Sequence, residues 1–223
     1  MLYIDIHTHR RGKEKNIQIR NVFAQDLAHE NPDYFFSAGL HPWHISEVNP
    51  EQCYESIEAA TENKNMLAIG ECGLDRHIKT DFALQKNCFK EQVKLAEKYD
   101  KPLIIHCVRA YPDLIKLKKD LRSTVPWILH AYSGNRETTQ SLLKHGFYFS
   151  LEKKILKDEK KRDVSMLIPT DRIFLETDEG DISIQKIYLF AAEILQINEE
   201  LLGEILINNF KTLFGDDKLV AKD

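Results

Sequence analysis

Short apolar runs alternate along the chain with longer segments of helical period. The runs are rich in Ile, Leu, Phe and Tyr, and most are too short for helices, so they predict β-strands. They are LYIDIHTH, IQIRNV, YFFSAGLH, MLAIGECGL, PLIIHCV, PWILHAY, FYFSL and RIFLETD. Such strands, separated by helical segments, predict a parallel sheet with helical crossovers.

The segments between the strands fit amphipathic helices. Phe82 to Tyr99 carries an apolar stripe of helical period, and Pro50 stands where a first helical residue is expected. The predicted helices cover Asn49 to Asn63, Phe82 to Tyr99, Tyr111 to Leu121, Arg136 to His145, Asp158 to Leu167, Ile184 to Ile197 and Glu199 to Phe214. This order predicts an α/β fold, a TIM (β/α) barrel of parallel strands with outer helices.

The first crossover departs from the regular pattern. The segment between His9 and GLHPW (39–43) holds the second strand but no convincing helix. Parallel strands need a crossover connection, which is usually a helix. We therefore expect this crossover to be stunted and the barrel to be distorted there.

Composition places the chain among globular proteins. Its 223 residues contain no low-complexity tract, fixed repeat or linker, so residues 1–223 are predicted to form one TIM-barrel-like domain. The apolar share is 43% and the charged share 30%, as in soluble enzymes. The net charge of −4 gives no overall nucleic-acid footprint.

Targeting signals are not evident in the sequence. MLYIDIHTH lacks the pattern of a signal peptide, and no run approaches the roughly 20 apolar residues of a membrane helix. The four cysteines form no CxxC motif and no disulfide framework. These features predict a cytoplasmic protein with reduced thiols, no membrane association and no evident obligate protein partner.

Polar side chains stand at the ends of the predicted strands, where barrel active sites gather. His7 and His9 are two apart on one strand and should therefore point to the same side. An HxH pair alone is a weak signal. However, several strands each end in a side chain that can bind a metal, and these ends are expected to lie at the same height in the barrel. Together they predict a metal site. Its candidate ligands are His7, His9, Glu71, His106, His130 and Asp178.

This ligand set exceeds the three protein ligands common for one catalytic zinc. It suits two divalent metals that share a bridging carboxylate. Nitrogen and oxygen ligands without thiolate allow zinc, manganese, magnesium or iron. Asp5 lies in phase with the two histidines and could orient a ligand or cap an inner layer. We expect the site to perform hydrolysis.

The chain resembles the TatD family of metal-dependent hydrolases, within the amidohydrolase-like barrels. The matching segments are DIHTH (5–9), AGLHPW (38–43), AIGECGLD (68–75), PLIIHCVRA (102–110), LHAYSG (129–134), FLETD (174–178) and NNFKTLFG (208–215). The resemblance implies deoxyribonuclease activity, chiefly the trimming of DNA ends.

The resemblance also implies roles for the metal ligands. They would be His7, His9 and Asp178 for one metal, and His106 and His130 for the second. Glu71 would bridge the two metals. Asp178 would also take a proton from the attacking water, so Glu71 and Asp178 are the predicted catalytic carboxylates.

Three further positions match family residues that line the substrate site. They are His41, Asp75 and Arg109. The resemblance implies that His41 lies near the substrate phosphate. The alternatives are a histidine in a capped turn, a turn aspartate and a solvated arginine. Their loop positions favour the substrate-binding role.

Two segments depart from the family pattern. The segment after His9 lacks the helix that relatives usually have. After Asp178, DEGDIS passes straight into the helix that starts at Ile184, where relatives carry a long loop that helps to wall the cleft. The resemblance therefore implies a compact variant of the family with a more open mouth.

Basic residues are frequent in the loops expected at the catalytic face. They are Arg10, Arg11, Lys13, Lys15, Arg20, Arg76, Lys79, Arg109, Arg136, Lys153, Lys154 and Lys157. A basic rim around an acidic pocket suits DNA or another phosphodiester, although charged loops are also ordinary solvated surface. Aromatic residues that could stack on bases are Trp43, His77, Tyr111 and Tyr132, and Trp43 is equally compatible with packing.

Three functions are compatible with this site. The first is a phosphodiesterase or deoxyribonuclease that uses a water activated by two metals. The second is an amidase or deacylase for a small substrate with the same metal core, which the open mouth allows. The third is a metal-holding interaction module, and the complete set of six ligands argues against it. We expect the first.

Overall fold

The computed structural model describes residues 1–10, 16–29, 32–154 and 158–219. The chain divides into two compact units: unit 1 comprises Met1–Ile19 and His130–Asp223, and unit 2 comprises Arg20–Leu129. The single domain expected from the sequence stays a prediction. Four basic residues of the predicted rim lie outside the described residues, namely Arg11, Lys13, Lys15 and Lys157.

Each of the eight predicted apolar runs contains a β-strand. The strands are β1 (Ile4–Thr8), β2 (Ile17–Phe23), β3 (Phe36–Gly39), β4 (Met66–Asp75), β5 (Leu103–Val108), β6 (Trp127–Leu129), β7 (Phe147–Leu151) and β8 (Ile173–Leu175). They follow one another in chain order. This is the strand order of the (β/α)-barrel class that the sequence predicts.

The α-helices lie where the apolar periodicity predicts them. They are α1 (Pro50–Ala60), α2 (Phe82–Lys98), α3 (Tyr111–Leu121), α4 (Arg136–Lys144), α5 (Glu159–Ser165), α6 (Ile184–Leu195) and α7 (Glu199–Phe214). Side chains that accept a backbone hydrogen bond fix several starts, such as Asn135 before α4 and Asn198 before α7. Among the described residues, no helix has both the length and the apolar character needed to cross a bilayer.

The first crossover is stunted, as predicted. Among the described residues, the only helix between β1 and β3 is a short 3-10 helix, Ala24–His29. The seven α-helices within the described residues all follow β3 in the chain. The strand–helix alternation is therefore regular only from β3 onward.

The strands of unit 2 pair in parallel, from β2 to β6. Arg20 aligns with Phe36 between β2 and β3, and Leu103 aligns with Trp127 between β5 and β6. Helix α2 packs against β4 and buries Phe89, whose ring meets the Trp127 indole edge to face at 5.2 Å. Part of the core of this unit therefore lies between α2 and the strands β4 and β6.

Strand β4 carries a β-bulge next to β5. Ile69 aligns with Leu103, and Cys72 aligns with Ile105, so three steps on β4 oppose two on β5. The extra residue lies in the Gly70–Glu71 segment, and such a bulge redirects the side chains around it. Just beyond, Gly73 has φ +150° and approaches β5 so closely that a Cβ atom would lie 2.0 Å from the His106 carbonyl oxygen.

Unit 1 joins both ends of the described chain. Strands β7 and β8 pair in parallel, and an isolated parallel bridge links Thr8 to Asp178, beyond the end of β8. The Asp178 N–H donates to the His7 carbonyl oxygen (3.0 Å), and the His9 N–H donates to the Asp178 carbonyl oxygen (3.2 Å). This backbone ladder fixes the segment after β8 beside β1.

Polar side chains from the last two helices bind backbone groups in unit 1. The Ile4 N–H donates to the Tyr188 hydroxyl of α6 at 2.9 Å. From α7, the Asn209 amide donates to the carbonyl oxygens of Thr170 (2.7 Å) and Ile173 (2.9 Å). Ile4 belongs to β1, Ile173 begins β8 and Thr170 lies just before it, so both helices help to position the strands that lead to the predicted ligands.

Candidate metal centre

In unit 1, His7, His9 and Asp178 present their ligand atoms to one point. His7 Nε2 lies 3.7 Å from Asp178 Oδ1, and His9 Nε2 lies 3.6 Å from the same oxygen. His7 is fully buried, whereas His9 and Asp178 are partly exposed. The two histidines alternate with Thr8 along β1, which turns both rings to the same side as the sequence predicts.

The spacing of these three atoms fits a metal ion better than a hydrogen-bonded triad. Distances of 3.6 and 3.7 Å exceed those of normal hydrogen bonds. Two ligand atoms that each lie about 2.1 Å from a tetrahedral ion are about 3.4 Å apart. Two imidazole nitrogens and a carboxylate oxygen are also ordinary ligands for such an ion. The residues present therefore suit a divalent cation.

His130 stands beside this cluster and is held by a buried carboxylate. It follows β6, and its ring lies 4.5 Å from the His7 ring, centroid to centroid. Its Nδ1–H donates to Glu176 Oε1 at 3.3 Å, and the Ala131 N–H donates to the same oxygen at 2.7 Å. Because Nδ1 carries the proton, Nε2 is left with the lone pair that a metal ligand requires.

Glu176 remains ionised despite complete burial. Burial raises the pKa of its carboxyl group, but the hydrogen bond that it accepts from His130 outweighs that effect, so the pKa lies below its ordinary value. Ligand atoms of His130, Glu176 and Asp178 all lie within 4.8 Å of one another. Glu176 therefore supplies a fixed negative charge to this cluster.

Asp5 binds the segment that precedes Asp178. Its Oδ1 accepts from the Thr177 N–H (3.0 Å), and its Oδ2 accepts from the Thr177 hydroxyl (2.6 Å). Burial raises the pKa of Asp5 to about 7, although the hydrogen bonds from Thr177 lower it. Of the two roles considered for Asp5, the structure favours positioning, exerted through the backbone next to a predicted ligand.

In unit 2, Glu71 lies between two histidines. His41 Nε2 and His106 Nδ1 each lie 3.0 Å from Glu71 Oε1. The Trp43 N–H donates to His41 Nδ1 at 3.2 Å, so that nitrogen is unprotonated and Nε2 of neutral His41 donates to Glu71. Ligand atoms of these three residues also lie within 4.8 Å of one another.

Asp75 holds His106 from the other side of the ring. Its Oδ2 accepts from His106 Nε2 (3.1 Å) and Trp43 Nε1 (2.9 Å), and its Oδ1 accepts from the His77 N–H (2.7 Å). Burial raises the pKa of Asp75, but these hydrogen bonds prevail and hold it well below its usual range. Asp75 is thus a buried, ionised acceptor that orients His106 and Trp43.

The structure distributes the predicted site residues over both units. His7, His9, His130 and Asp178 come together in unit 1, and His41, Glu71, Asp75 and His106 come together in unit 2. Arg109 is exposed directly after β5 and has φ +54°. The shared second metal of His106 and His130, the bridging by Glu71 and the substrate contacts of His41, Asp75 and Arg109 stay predictions.

The predicted basic rim is partly neutralised by acidic neighbours. Ion pairs join Arg10 to Asp181 (3.2 Å), Arg76 to Asp113 (2.8 Å) and Lys154 to Glu152 (3.2 Å). Lys79, Arg109 and Arg136 are exposed and form no salt bridge with another residue in the described part of the chain. Of the predicted basic rim, these three residues are therefore the best candidates to bind the phosphate groups of a nucleic acid.

Several positioning residues were not predicted from the sequence. Glu176 is one of them. The available signal was a carboxylate inside the apolar run IFLET, because a buried carboxylate needs a partner. Gln85 and Gln92 of α2 are two others, because their amides bind the backbone of Asp75 and Leu40 at the ends of β4 and β3. They stand seven residues apart on the apolar face of α2, where a buried glutamine needs backbone partners.

Comparisons with known proteins point to one family. The TatD related DNase model matches residues 14–215. A 3'-5' ssDNA/RNA exonuclease TatD from Erwinia tasmaniensis is 35% identical over 168 residues, which are 70% of this chain and 62% of that protein, so the match spans less than two thirds of its length. An uncharacterized metal-dependent hydrolase from Buchnera aphidicola is 32% identical over 203 residues, 81% of this chain and 77% of that protein.

Solved structures show the same fold. YJJV, a TatD homologue from Escherichia coli K12, superposes with a TM-score of 0.81 at 22% identity, covering 95% of this chain and 97% of that one. A TatD family hydrolase from Entamoeba histolytica gives a TM-score of 0.75 at 17% identity, with coverages of 96% and 98%. The TIM-barrel-like α/β class predicted from the sequence is thereby confirmed. With a family match from residue 14 to residue 215, the chain belongs to the TatD related DNase family.

Proposed function

We propose that this protein is a metal-dependent hydrolase that cleaves phosphodiester bonds in DNA. One observation carries the proposal: the two imidazoles of His7 and His9 flank a single oxygen of Asp178 at distances suited to a shared cation. Family membership adds the reaction class, because relatives are named as metal-dependent hydrolases and as nucleases. The amidase alternative has no comparable support.

The proposed ligands are those expected from the sequence. His7, His9 and Asp178 would hold one divalent ion, and His106 and His130 would hold a second, with Glu71 as the bridge. Zinc, manganese, magnesium and iron all accept such nitrogen and oxygen donors. When bound, the ions would lower the pKa of a water molecule and neutralise charge on the phosphate.

The chain's own groups would move the proton and keep the ligands in place. Asp178 would accept the proton of the water that attacks phosphorus, while the ester oxygen leaves with the shortened strand. Glu176 would keep the proton of His130 on Nδ1, which leaves Nε2 available as a ligand. His41 would donate from Nε2 to Glu71 and so fix the direction of that carboxylate.

Single-stranded nucleic acid, attacked from an end, is the proposed substrate class. The Erwinia relative is named as an exonuclease for ssDNA and RNA in the 3'-5' direction. In this chain, Arg109 is exposed one residue after the strand that carries His106, where it could meet a phosphate. A cytoplasmic location, expected from the free cysteines, belongs to the same proposal.

The test is cleavage of a 5'-labelled single-stranded oligonucleotide by protein that has been stripped of metal. Each of Mg²⁺, Mn²⁺, Zn²⁺ and Fe²⁺ is then added back. We expect a ladder of products shortened from the 3' end, which is absent in chelator and absent when phosphorothioate linkages block that end. A His9→Asn variant purified in parallel controls for contaminating nucleases.

Two results would count against the proposal. Intact oligonucleotide with all four metals would reject the nuclease reaction. Equal cleavage by the His9→Asn variant would show that the activity does not depend on this cluster.

A further inference from the structure

We propose that Trp43 is the stacking platform for one nucleobase of the single-stranded substrate. This inference deepens the proposed nuclease function and rests on it. Trp43 follows β3 in unit 2, two residues after His41. It would bind a base through its aromatic face, next to the residues that hold Glu71.

The exposure of Trp43 is the first observation. The residue is 54% exposed, whereas the second tryptophan of the chain, Trp127, is fully buried. Tyr132, another aromatic residue considered for stacking, is also buried, and its hydroxyl lies 2.7 Å from the Thr139 hydroxyl. Unlike Trp127 and Tyr132, Trp43 thus offers an open surface beside the site.

The second observation is that this exposed ring is held in place. Its Nε1–H donates to Asp75 Oδ2 at 2.9 Å, and its backbone N–H donates to His41 Nδ1 at 3.2 Å. A solvent-exposed indole would ordinarily be free to change rotamer. A ring fixed through a buried, ionised carboxylate loses less freedom when a ligand stacks on it, which favours binding.

The third observation is the position of the ring relative to the cluster. The Trp43 ring lies 4.9 Å from the His41 ring and 6.0 Å from the His106 ring, centroid to centroid, with interplanar angles of 87° and 76°. Both histidines lie 3.0 Å from Glu71 Oε1. A base on Trp43 would therefore place its own nucleotide beside Glu71.

This chemistry selects unpaired bases rather than a sequence. Every base has a π face, so stacking tolerates all four, and a base inside a duplex does not offer that face to a side chain. Because alanine substitution of a stacking residue weakens binding by about 5- to 150-fold per base, one platform is enough to affect specificity. Trp43 would thus favour single strands and frayed ends.

The kinetic test compares wild type, Trp43→Ala and Trp43→Phe on matched oligonucleotides. One oligonucleotide has normal bases, and three others each carry a single abasic residue at one of the last three 3' positions. The readout is the ratio of kcat/KM for the normal and the abasic substrate within each protein, so any change in the metal centre cancels. Leu84→Ala, which alters another exposed apolar side chain, is the control.

In wild type, one abasic position should lower kcat/KM by about 5- to 150-fold. Trp43→Ala should bring that ratio close to one, Trp43→Phe should retain most of it, and Leu84→Ala should match wild type. The proposal would be overturned if Trp43→Ala gave the same ratio as wild type. It would also be overturned if the ratio measured for wild type were near one at all three abasic positions.

A binding measurement separates this proposal from the nuclease function. In a Trp127→Phe protein, the remaining tryptophan fluorescence comes from Trp43. Titration of the metal-loaded protein with a phosphorothioate oligo(dT) should quench it, and the abasic analogue should quench it much less. If no metal supports cleavage but the two oligonucleotides still differ in quenching, the stacking role of Trp43 is supported and the proposed nuclease function is rejected. Equal quenching by both oligonucleotides, or none, would refute stacking.

Discussion

His130 donates through Nδ1 to Glu176, a carboxylate that is fully buried yet ionised. The same carboxylate oxygen accepts from the Ala131 N–H. One acidic side chain thus fixes both the proton and the orientation of a predicted metal ligand. Removing its charge should weaken metal binding more than it weakens the fold.

Glu176→Gln should lower metal affinity by about 10- to 100-fold, the usual effect of losing such a supporting carboxylate. The amide oxygen still accepts a hydrogen bond, so the unfolding transition should change little. Competition with a chromophoric chelator measures the affinity. Glu179→Gln, in an exposed position of the following loop, is the control and should bind metal as wild type does. Equal affinity in both variants would contradict the role assigned to Glu176.

Asp178→Asn should reduce cleavage of single-stranded DNA by about 10²- to 10⁴-fold, because an amide does not accept the proton of the attacking water. The fold should persist, since Asp178 has φ +52° and asparagine tolerates this left-handed conformation. Asp181→Asn, which changes an exposed carboxylate paired with Arg10, should keep near wild-type rates. The checks are initial rates and thermal unfolding. Retained activity in Asp178→Asn would remove the proposed proton acceptor.

Gly73→Ala should lower the free energy of unfolding by about 3 kcal/mol or more, because its Cβ would meet the His106 carbonyl oxygen. Gly146→Ala is a matched control. Gly146 also has a positive φ, +70°, but no atom lies within 4 Å of the added Cβ, so only the backbone strain of about 1–2 kcal/mol remains. Denaturant titration measures both variants. Similar losses would show that β4 and β5 can separate without penalty.

Glu97→Gln should make stability less dependent on pH. Partial burial raises the pKa of Glu97, but hydrogen bonds from Ser123 and Thr124 prevail and lower it below its ordinary 4.5. A depressed folded-state pKa contributes stability above the unfolded value, and that contribution is lost as the pH falls through the folded value. The free energy of unfolding of wild type should therefore exceed that of the variant by about 1 kcal/mol above pH 5. This difference should disappear as the pH falls below 4.5.

Denaturant titrations at several pH values check this prediction. Glu55→Gln, which alters an exposed glutamate of α1, is the control variant and is measured over the same range. A constant difference for Glu97→Gln would mean that its carboxylate does not support the loop at Ser123.

Much of the fold could be predicted from the apolar periodicity, because each helix or strand buries one face and this burial sets the pattern within the element itself. Helices α3 and α7 begin and end at the predicted residues, and β7 coincides with the run FYFSL. The bulge in β4 was missed, because it depends on how a neighbouring strand fits against Gly70 and Glu71. The two glycines at 70 and 73 inside one strand were the available signal.

Part of the candidate site could be predicted from the sequence, but the side chains that support it could not. His7, His9 and Asp178 meet as expected, since strand alternation and strand ends are sequence-local properties. The tautomer of His41 depends on a backbone N–H of Trp43, and that of His130 depends on Glu176. His130 and Glu176 are 46 positions apart, and the His41 contact uses a backbone group, so a pattern of side chains along the chain does not reveal either pairing.

The bridge between Thr8 and Asp178 has a consequence for synthesis on the ribosome. These residues are 170 positions apart. At about 5–20 residues per second, His7 and His9 emerge roughly 10–30 s before the aspartate that completes their cluster. Unit 2 is continuous in sequence and can be completed during that interval, whereas unit 1 closes only when the late segment arrives. The first two predicted ligands are therefore translated well before the third.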